Sequence, residues 1–96
     1  MKDTQIELEL FGSKGRAVLR DGDLVVAEME YSMAGSSLLI ISHTEVDEKL
    51  KGQGIGRKLL DKIVGHAREN DIKIMPLCPF AKSVFDKDES IRDVLK

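Results

Sequence analysis

Glycines stand at three alternate positions between Lys51 and the following helix-like run: Gly52, Gly54 and Gly56. The hydrophobic period changes at this point. Upstream, apolar residues alternate as they do in strands. Downstream, Ile55, Leu59, Ile63 and Ala67 recur every four residues with Leu60 and Val64 beside them, the stripe of an amphipathic helix. A glycine-rich turn that delivers a strand into a helix leaves the first N–H groups of the helix without intrahelical partners, and the helix dipole strengthens their attraction for an anion. The glycines let a ligand approach that backbone closely.

Four strands are expected before the turn. In "QIELELF", Ile6, Leu8 and Leu10 alternate with Glu7 and Glu9, so the three apolar residues should share one face. Asp21-Gly22 separates two β-prone runs and predicts a hairpin between strands two and three, because glycine tolerates positive φ. In "SSLLIISHTEV", strict alternation puts Leu39, Ile41, His43 and Glu45 on one face and Leu38, Ile40, Ser42, Thr44 and Val46 on the other, with both faces buried at the start. After the helix, Asn70 is a stop, "IKIMPL" a fifth strand, and Pro79 suits the first turn of a second helix in "CPFAKSVF". The i, i+4 pairs among Phe80, Ala81, Val84 and Phe85 are expected to pack in the core. Asp88 is placed to cap a last short helix carrying Ile91, Val94 and Leu95.

The fold class expected is therefore α+β, with α/β three-layer-like character. It comprises a mostly antiparallel sheet of about five strands, a central helix after strand four and short C-terminal helices. Ninety-six residues, 42% of them hydrophobic and 33% charged, fit a single domain spanning 1–96. No run is apolar for long enough to span a membrane, and the N-terminus alternates charged and apolar residues where a signal peptide needs an apolar stretch, so a cytoplasmic protein is expected. The single cysteine, Cys78, excludes an internal disulfide and a Cys-based zinc site. Residues 1–50 carry five basic and ten acidic side chains, and residues 51–96 carry ten basic and seven acidic, giving −5 and +3. That asymmetry is compatible with a cationic ligand on one side and an anionic one on the other, or with solvated charge.

Three anion-binding motifs compete for "KGQGIGRKLL". A P-loop needs a Gly-Lys-Ser/Thr triplet, which the chain lacks. A dinucleotide fingerprint needs a third glycine where Arg57 stands, and its turn follows the first strand of a parallel unit rather than four apparently antiparallel strands. Lys51-Gly52-Gln53-Gly54-Ile55-Gly56 instead resembles the Arg/Gln-x-x-Gly-x-Gly/Ala pyrophosphate loop of the GNAT superfamily of acetyl-CoA-dependent N-acyltransferases. Lys51 departs from the usual first residue but keeps a positive charge, and Gly54 and Gly56 match. "HTEVDEKLKGQGIGRKLL" with "IMPLCPFAKSVF" is similar to the compact, single-domain YjdJ-type branch of that superfamily.

The resemblance implies an N-acetyltransferase that moves an acetyl group from acetyl-CoA to a primary amine by direct attack on the thioester, or else a non-catalytic acyl-CoA-binding module. It implies that strand four splays from strand five, with the pantetheine arm between them and the main chain near Val46 supporting the thioester. The backbone of Gln53, Gly54, Ile55, Gly56 and Arg57 would receive the pyrophosphate, in a loop begun by Lys51 and Gly52. Arg57, Lys58 and Lys82 offer added charge, weighed against ordinary solvated side chains. Glu45 is the preferred base, with His43 as a second proton relay. The second helix lacks the tyrosine that many members use to protonate the thiolate. Cys78 is therefore considered as general acid, acyl carrier or, as favoured here, a residue lining the channel near the thioester. The acceptor side lacks the helices that wall it in larger members, which suits a protein lysine or a polyamine. No metal, nucleic-acid or membrane partner is expected.

Overall fold

A computed structural model describes residues 6–96. Five strands, β1 (Glu7–Phe11), β2 (Lys14–Asp21), β3 (Leu24–Ala34), β4 (Leu38–Val46) and β5 (Lys73–Pro76), lie in the order β1-β2-β3-β4-β5. The first four pair antiparallel and β5 joins β4 in parallel, so the sheet is mixed but mostly antiparallel, as expected. The crossover from β4 to β5 passes through a 3₁₀ turn (Glu48–Leu50) and the helix α1 (Ile55–Glu69). A second helix, α2 (Pro79–Lys87), and a 3₁₀ segment (Glu89–Val94) follow β5.

Local chemistry accounts for each boundary. Gly22 takes a φ of +64° in the β2–β3 hairpin. Asn70 ends α1, its backbone N–H reaching His66 O at 3.1 Å, and Asp71 follows in the left-handed region. Pro79 opens α2 at its first turn, where a missing N–H costs nothing. Asp88 caps the final 3₁₀ segment by accepting from Ser90 N at 2.9 Å.

The α1 stripe Ile55, Leu59, Leu60, Ile63, Val64 and Ala67 is buried, and it packs with Ala17, Leu19, Ala27, Met29, Leu39 and Ile41 of the sheet in one core. Ala81 and Phe85 of α2 and Ile91 and Val94 beyond it complete the same core. All helices thus serve one core, and the layering is two-deep across a shortest Cα extent of 20 Å.

Two expected facings are corrected. Leu10 is 59% exposed rather than sharing the core with Ile6, because it lies opposite Gly15, which offers no side chain to pack against, on an edge strand. In β4 the register against β3 shifts between Glu30 and Tyr31: Ile41 faces Tyr31, but His43, not Ser42, faces Glu30. The extra residue reverses the alternation. Thr44 and Val46 continue the inward face of Leu39 and Ile41, opposite buried Met29 and Ala27, while His43 and Glu45 turn outward with Glu30 and Glu28.

Candidate functional site

The bulge falls where β4 loses its second neighbour. The β4–β5 ladder covers Leu38–Ile41 against Lys73–Pro76, and Leu77 and Cys78 turn back to donate to Ile41 O at 2.9 and 3.1 Å. From Ser42 to Val46, β4 pairs with β3 alone. This parting of β4 from β5 is the splay that the resemblance implied. A cavity of about 1000 Å³ opens beside it. Its walls include Thr44, Glu45 and Val46 from β4, Lys51, Gly52, Gly54, Ile55, Gly56 and Arg57 from the turn, and Phe80, Val84 and Asp88 from α2 and its end.

At the base of the turn, Gly52 and Gly54 take φ of +85° and +73°, which side-chain-bearing residues rarely adopt. Gly54 is the N-cap of α1 and has no side chain to satisfy the helix's first donors. Lys58 N makes the first helical bond, to Gly54 O at 3.2 Å. The N–H groups of Gly54, Ile55, Gly56 and Arg57 have no acceptor among the described residues. Gln53 differs from expectation, since its N–H donates to Leu50 O at 3.3 Å and is used inside the turn. Gly56 is needed for another reason: a Cβ there would lie 2.8 Å from Phe80 Cζ.

Other candidates separate on inspection. Lys51 lines the cavity and pairs with Glu48 at 3.0 Å. Arg57 lines it too, but its Nε bonds Asp61 at 2.9 Å and its Nη2 bonds Asp88 at 2.6 Å, and these two carboxylates push the guanidinium pKa up. The Asp88 carboxyl is pulled down to about 2, first by the Ser90 hydroxyl and then by Arg57. Lys58 and Lys82 are absent from the cavity wall, and Lys82 sits 3.4 Å from Asp86 on the exposed side of α2.

Glu45 reaches the cavity rim with its side chain 73% exposed, and His43 Nε2 lies 3.7 Å from its carboxylate on the outer face. Cys78 is the N-cap residue of α2, 5% exposed, and belongs to the core rather than to the cavity wall. Its thiol lies 3.0 Å from Thr44 Oγ1, and Thr44 does face the cavity. The structure therefore does not bring Cys78 to the channel surface. Phe80 was expected in the core but is 39% exposed and seated on Gly56. The readable signal was the doubled stripe of α2: Ala81 and Phe85 fill the core, so Phe80 and Val84, one residue earlier, form a second face.

A glycine turn whose helix-starting N–H groups have no acceptor among the described residues thus lines a cleft at the point where two parallel strands part. The sequence model described as GCN5-related N-acetyl-transferase matches residues 16–94, and the chain belongs to that family. The solution structure of a GCN5-like candidate N-acetyltransferase from Staphylococcus aureus is similar at 36% identity and a TM-score of 0.72, over 97% of this chain and 90% of that one. The ribosomal-protein-alanine N-acetyltransferase of Brucella melitensis biovar Abortus 2308 shares the fold at 16% identity and a TM-score of 0.65, over 78% of this chain and 60% of that one. An aminoglycoside acetyltransferase from an uncultured soil metagenome does so at 18% and 0.62, over 85% and 59%. No curated protein matches the chain.

Proposed function

We propose that the protein is an acetyl-CoA-dependent N-acetyltransferase acting on a primary amine, such as a protein lysine or a polyamine. The observation that carries this reading is the row of four N–H groups from Gly54 to Arg57 with no acceptor among the described residues, lining a cavity that runs to the edge of β4 beyond its ladder with β5. Those donors suit the pyrophosphate of coenzyme A, and Lys51 lines the same wall, paired with Glu48. Val46, inward-facing at the end of β4, suits main-chain support of the thioester. Family membership supports the reaction class.

Attack by the amine nitrogen on the thioester carbonyl forms the C–N bond, and the C–S bond breaks as the thiolate leaves. The chain's part is to hold the two reactants together, to oppose charge on the carbonyl oxygen with fixed dipoles, and to accept the ammonium proton. Glu45, at the rim, is the acceptor proposed for that proton, with His43 at 3.7 Å as the second relay. Cys78 is buried behind the wall and is not assigned the thiolate's proton. The free cysteine suits a reducing compartment such as the cytoplasm.

Titration of wild type, Gly54→Ala and Gly54→Glu with acetyl-CoA tests the cofactor site. Both variants carry the strain of positive φ, but only the glutamate adds a carboxylate at the anion site. Binding should survive in the first and largely vanish in the second; a folded Gly54→Glu protein that binds normally would place the site elsewhere. The high exposure of Glu45 also favours a second reading, an acyl-CoA-binding module without an enclosed acceptor site. Release of CoA above the hydrolysis blank with candidate amines separates the two. Under the enzyme reading, Glu45→Gln lowers turnover by about 10- to 100-fold with little change in acetyl-CoA affinity.

A further inference from the structure

Arg57 sits in the first turn of α1, beside the glycine turn, where a positive side chain invites assignment as a phosphate ligand. Its surroundings speak against that role. One guanidinium faces two carboxylates, Asp61 on its own helix and Asp88 across the cavity wall, at 2.9 and 2.6 Å. The cluster as a whole is net negative and offers an incoming phosphate no spare cation.

What Arg57 does hold is α2. Asp88 is the C-cap residue of α2, its N–H donating to Val84 O at 2.9 Å, so the Arg57–Asp88 bond fastens the far end of that helix to the start of α1. The near end is fastened by Phe80, whose ring rests on Gly56. Val84, which lines the cavity from α2, lies between these two fixings, and Lys87 lines it next to Asp88. We propose that the side chains of Arg57 and Asp88 form a clasp that sets the position of α2 against the glycine turn, so that both side chains position the site for acetyl-CoA rather than contact it, while the Arg57 backbone N–H stays among the turn's donors. This rests on the reading of the cavity as the acetyl-CoA site.

The two roles predict opposite signs for one substitution. Asp88 uses Oδ2 for Arg57 and Oδ1 for Ser90 N and Ser90 Oγ, at 2.9 and 2.6 Å. In Asp88→Asn the remaining oxygen keeps the cap, since asparagine caps as well as aspartate does, while the amide opposes the guanidinium. If Arg57 were a phosphate ligand restrained by Asp88, the substitution would free it, remove a negative charge and tighten binding. If the pair is a clasp, α2 loosens and binding weakens.

The experiment is calorimetric titration of acetyl-CoA into wild type, Asp88→Asn, Arg57→Gln and the double variant, alongside amide hydrogen exchange of each protein without ligand. The clasp predicts a Kd raised about fivefold or more in Asp88→Asn, and a double variant no weaker than the worse single variant, as coupled partners require. It also predicts faster exchange concentrated in Lys82–Lys87, with Leu59–Ala67 unchanged. Tighter binding in Asp88→Asn, or additive losses, would overturn the clasp. So would unchanged exchange in α2. Failure of wild type to bind acetyl-CoA would sink the cofactor reading instead, leaving the exchange result to decide whether the clasp exists.

Discussion

At the scale of single residues, the three glycines of the turn form one motif in the sequence but answer to two separate demands in the fold. Gly52 and Gly54 are fixed by backbone conformation, with open space where a Cβ would go. Gly54→Ala should therefore destabilise the fold by about 1 kcal/mol through strain alone, read as a lower thermal midpoint, while its cavity stays open. Gly56 is fixed by a neighbour, since its Cβ would meet Phe80 at 2.8 Å. Gly56→Ala should cost about 1 to 3 kcal/mol of overpacking or displace Phe80 into the cavity. In a double-mutant cycle, Phe80→Ala should relieve most of that cost; additive losses in urea titrations would show that Phe80 is not the obstacle. Positive φ is legible because glycine is its usual carrier. The Phe80 contact is not, because it joins residues 24 positions apart and depends on where α2 lands.

At the scale of elements, strands, helices and stops were largely legible, and what escaped was a single inserted residue. Hydrophobic period places β4 and α1, Asp21-Gly22 places a hairpin, and Asn70, Pro79 and Asp88 mark ends that the structure shares. The bulge at Ser42 is invisible to period because it is a property of the β3–β4 register, and one residue of slip exchanges the faces of everything beyond it. That exchange puts Thr44 inward, 3.0 Å from the Cys78 thiol, and His43 with Glu45 outward. The resemblance, with its tyrosine missing from the second helix, suggested Cys78 as a channel-lining residue, whereas in the fold it is 5% exposed and packs in the core. An alkylating reagent should then modify Cys78 far more slowly than an exposed thiol, as followed by intact mass. Thr44→Val should accelerate that reaction if the contact helps to hold the β4–α2 seam shut. Rapid modification of wild type would mean that the thiol faces solvent and would return Cys78 to the channel.

At the scale of the whole molecule, three of the ion-paired carboxylates join separate elements, so pH should act on how those elements are held together. Glu9, bonded by Arg20 and Arg16, ties β1 to β2; Asp93, bonded by Arg68, ties the C-terminal 3₁₀ segment to α1; Asp88 makes the tie between α1 and the end of α2. All three carboxyls are held below their ordinary values by these donors, with Ser90 the leading one at Asp88. The unfolded chain takes up protons near pH 4 while the folded chain resists to lower pH, so stability is full above that range and is lost on acidification, down to about 2 for Asp88. The opposite limb belongs to Tyr31. Its hydroxyl is buried without a partner among the described residues, and burial pushes its pKa up. In the unfolded chain the phenol ionises near pH 10, but in the folded chain it keeps its proton, so this group's stabilising contribution is present below about pH 10 and falls as pH rises beyond it. Tyr31→Phe removes a polar atom with no bond to lose, and should leave stability at pH 7 unchanged or raise it by up to about 1 kcal/mol. Above pH 10 the variant's advantage should widen, because phenylalanine has no proton to release on unfolding. Urea titrations of both proteins at pH 7 and pH 10.5 measure this directly. A variant that is weaker at pH 7, or an advantage that does not grow with pH, would mean that the hydroxyl is hydrogen-bonded in the folded protein.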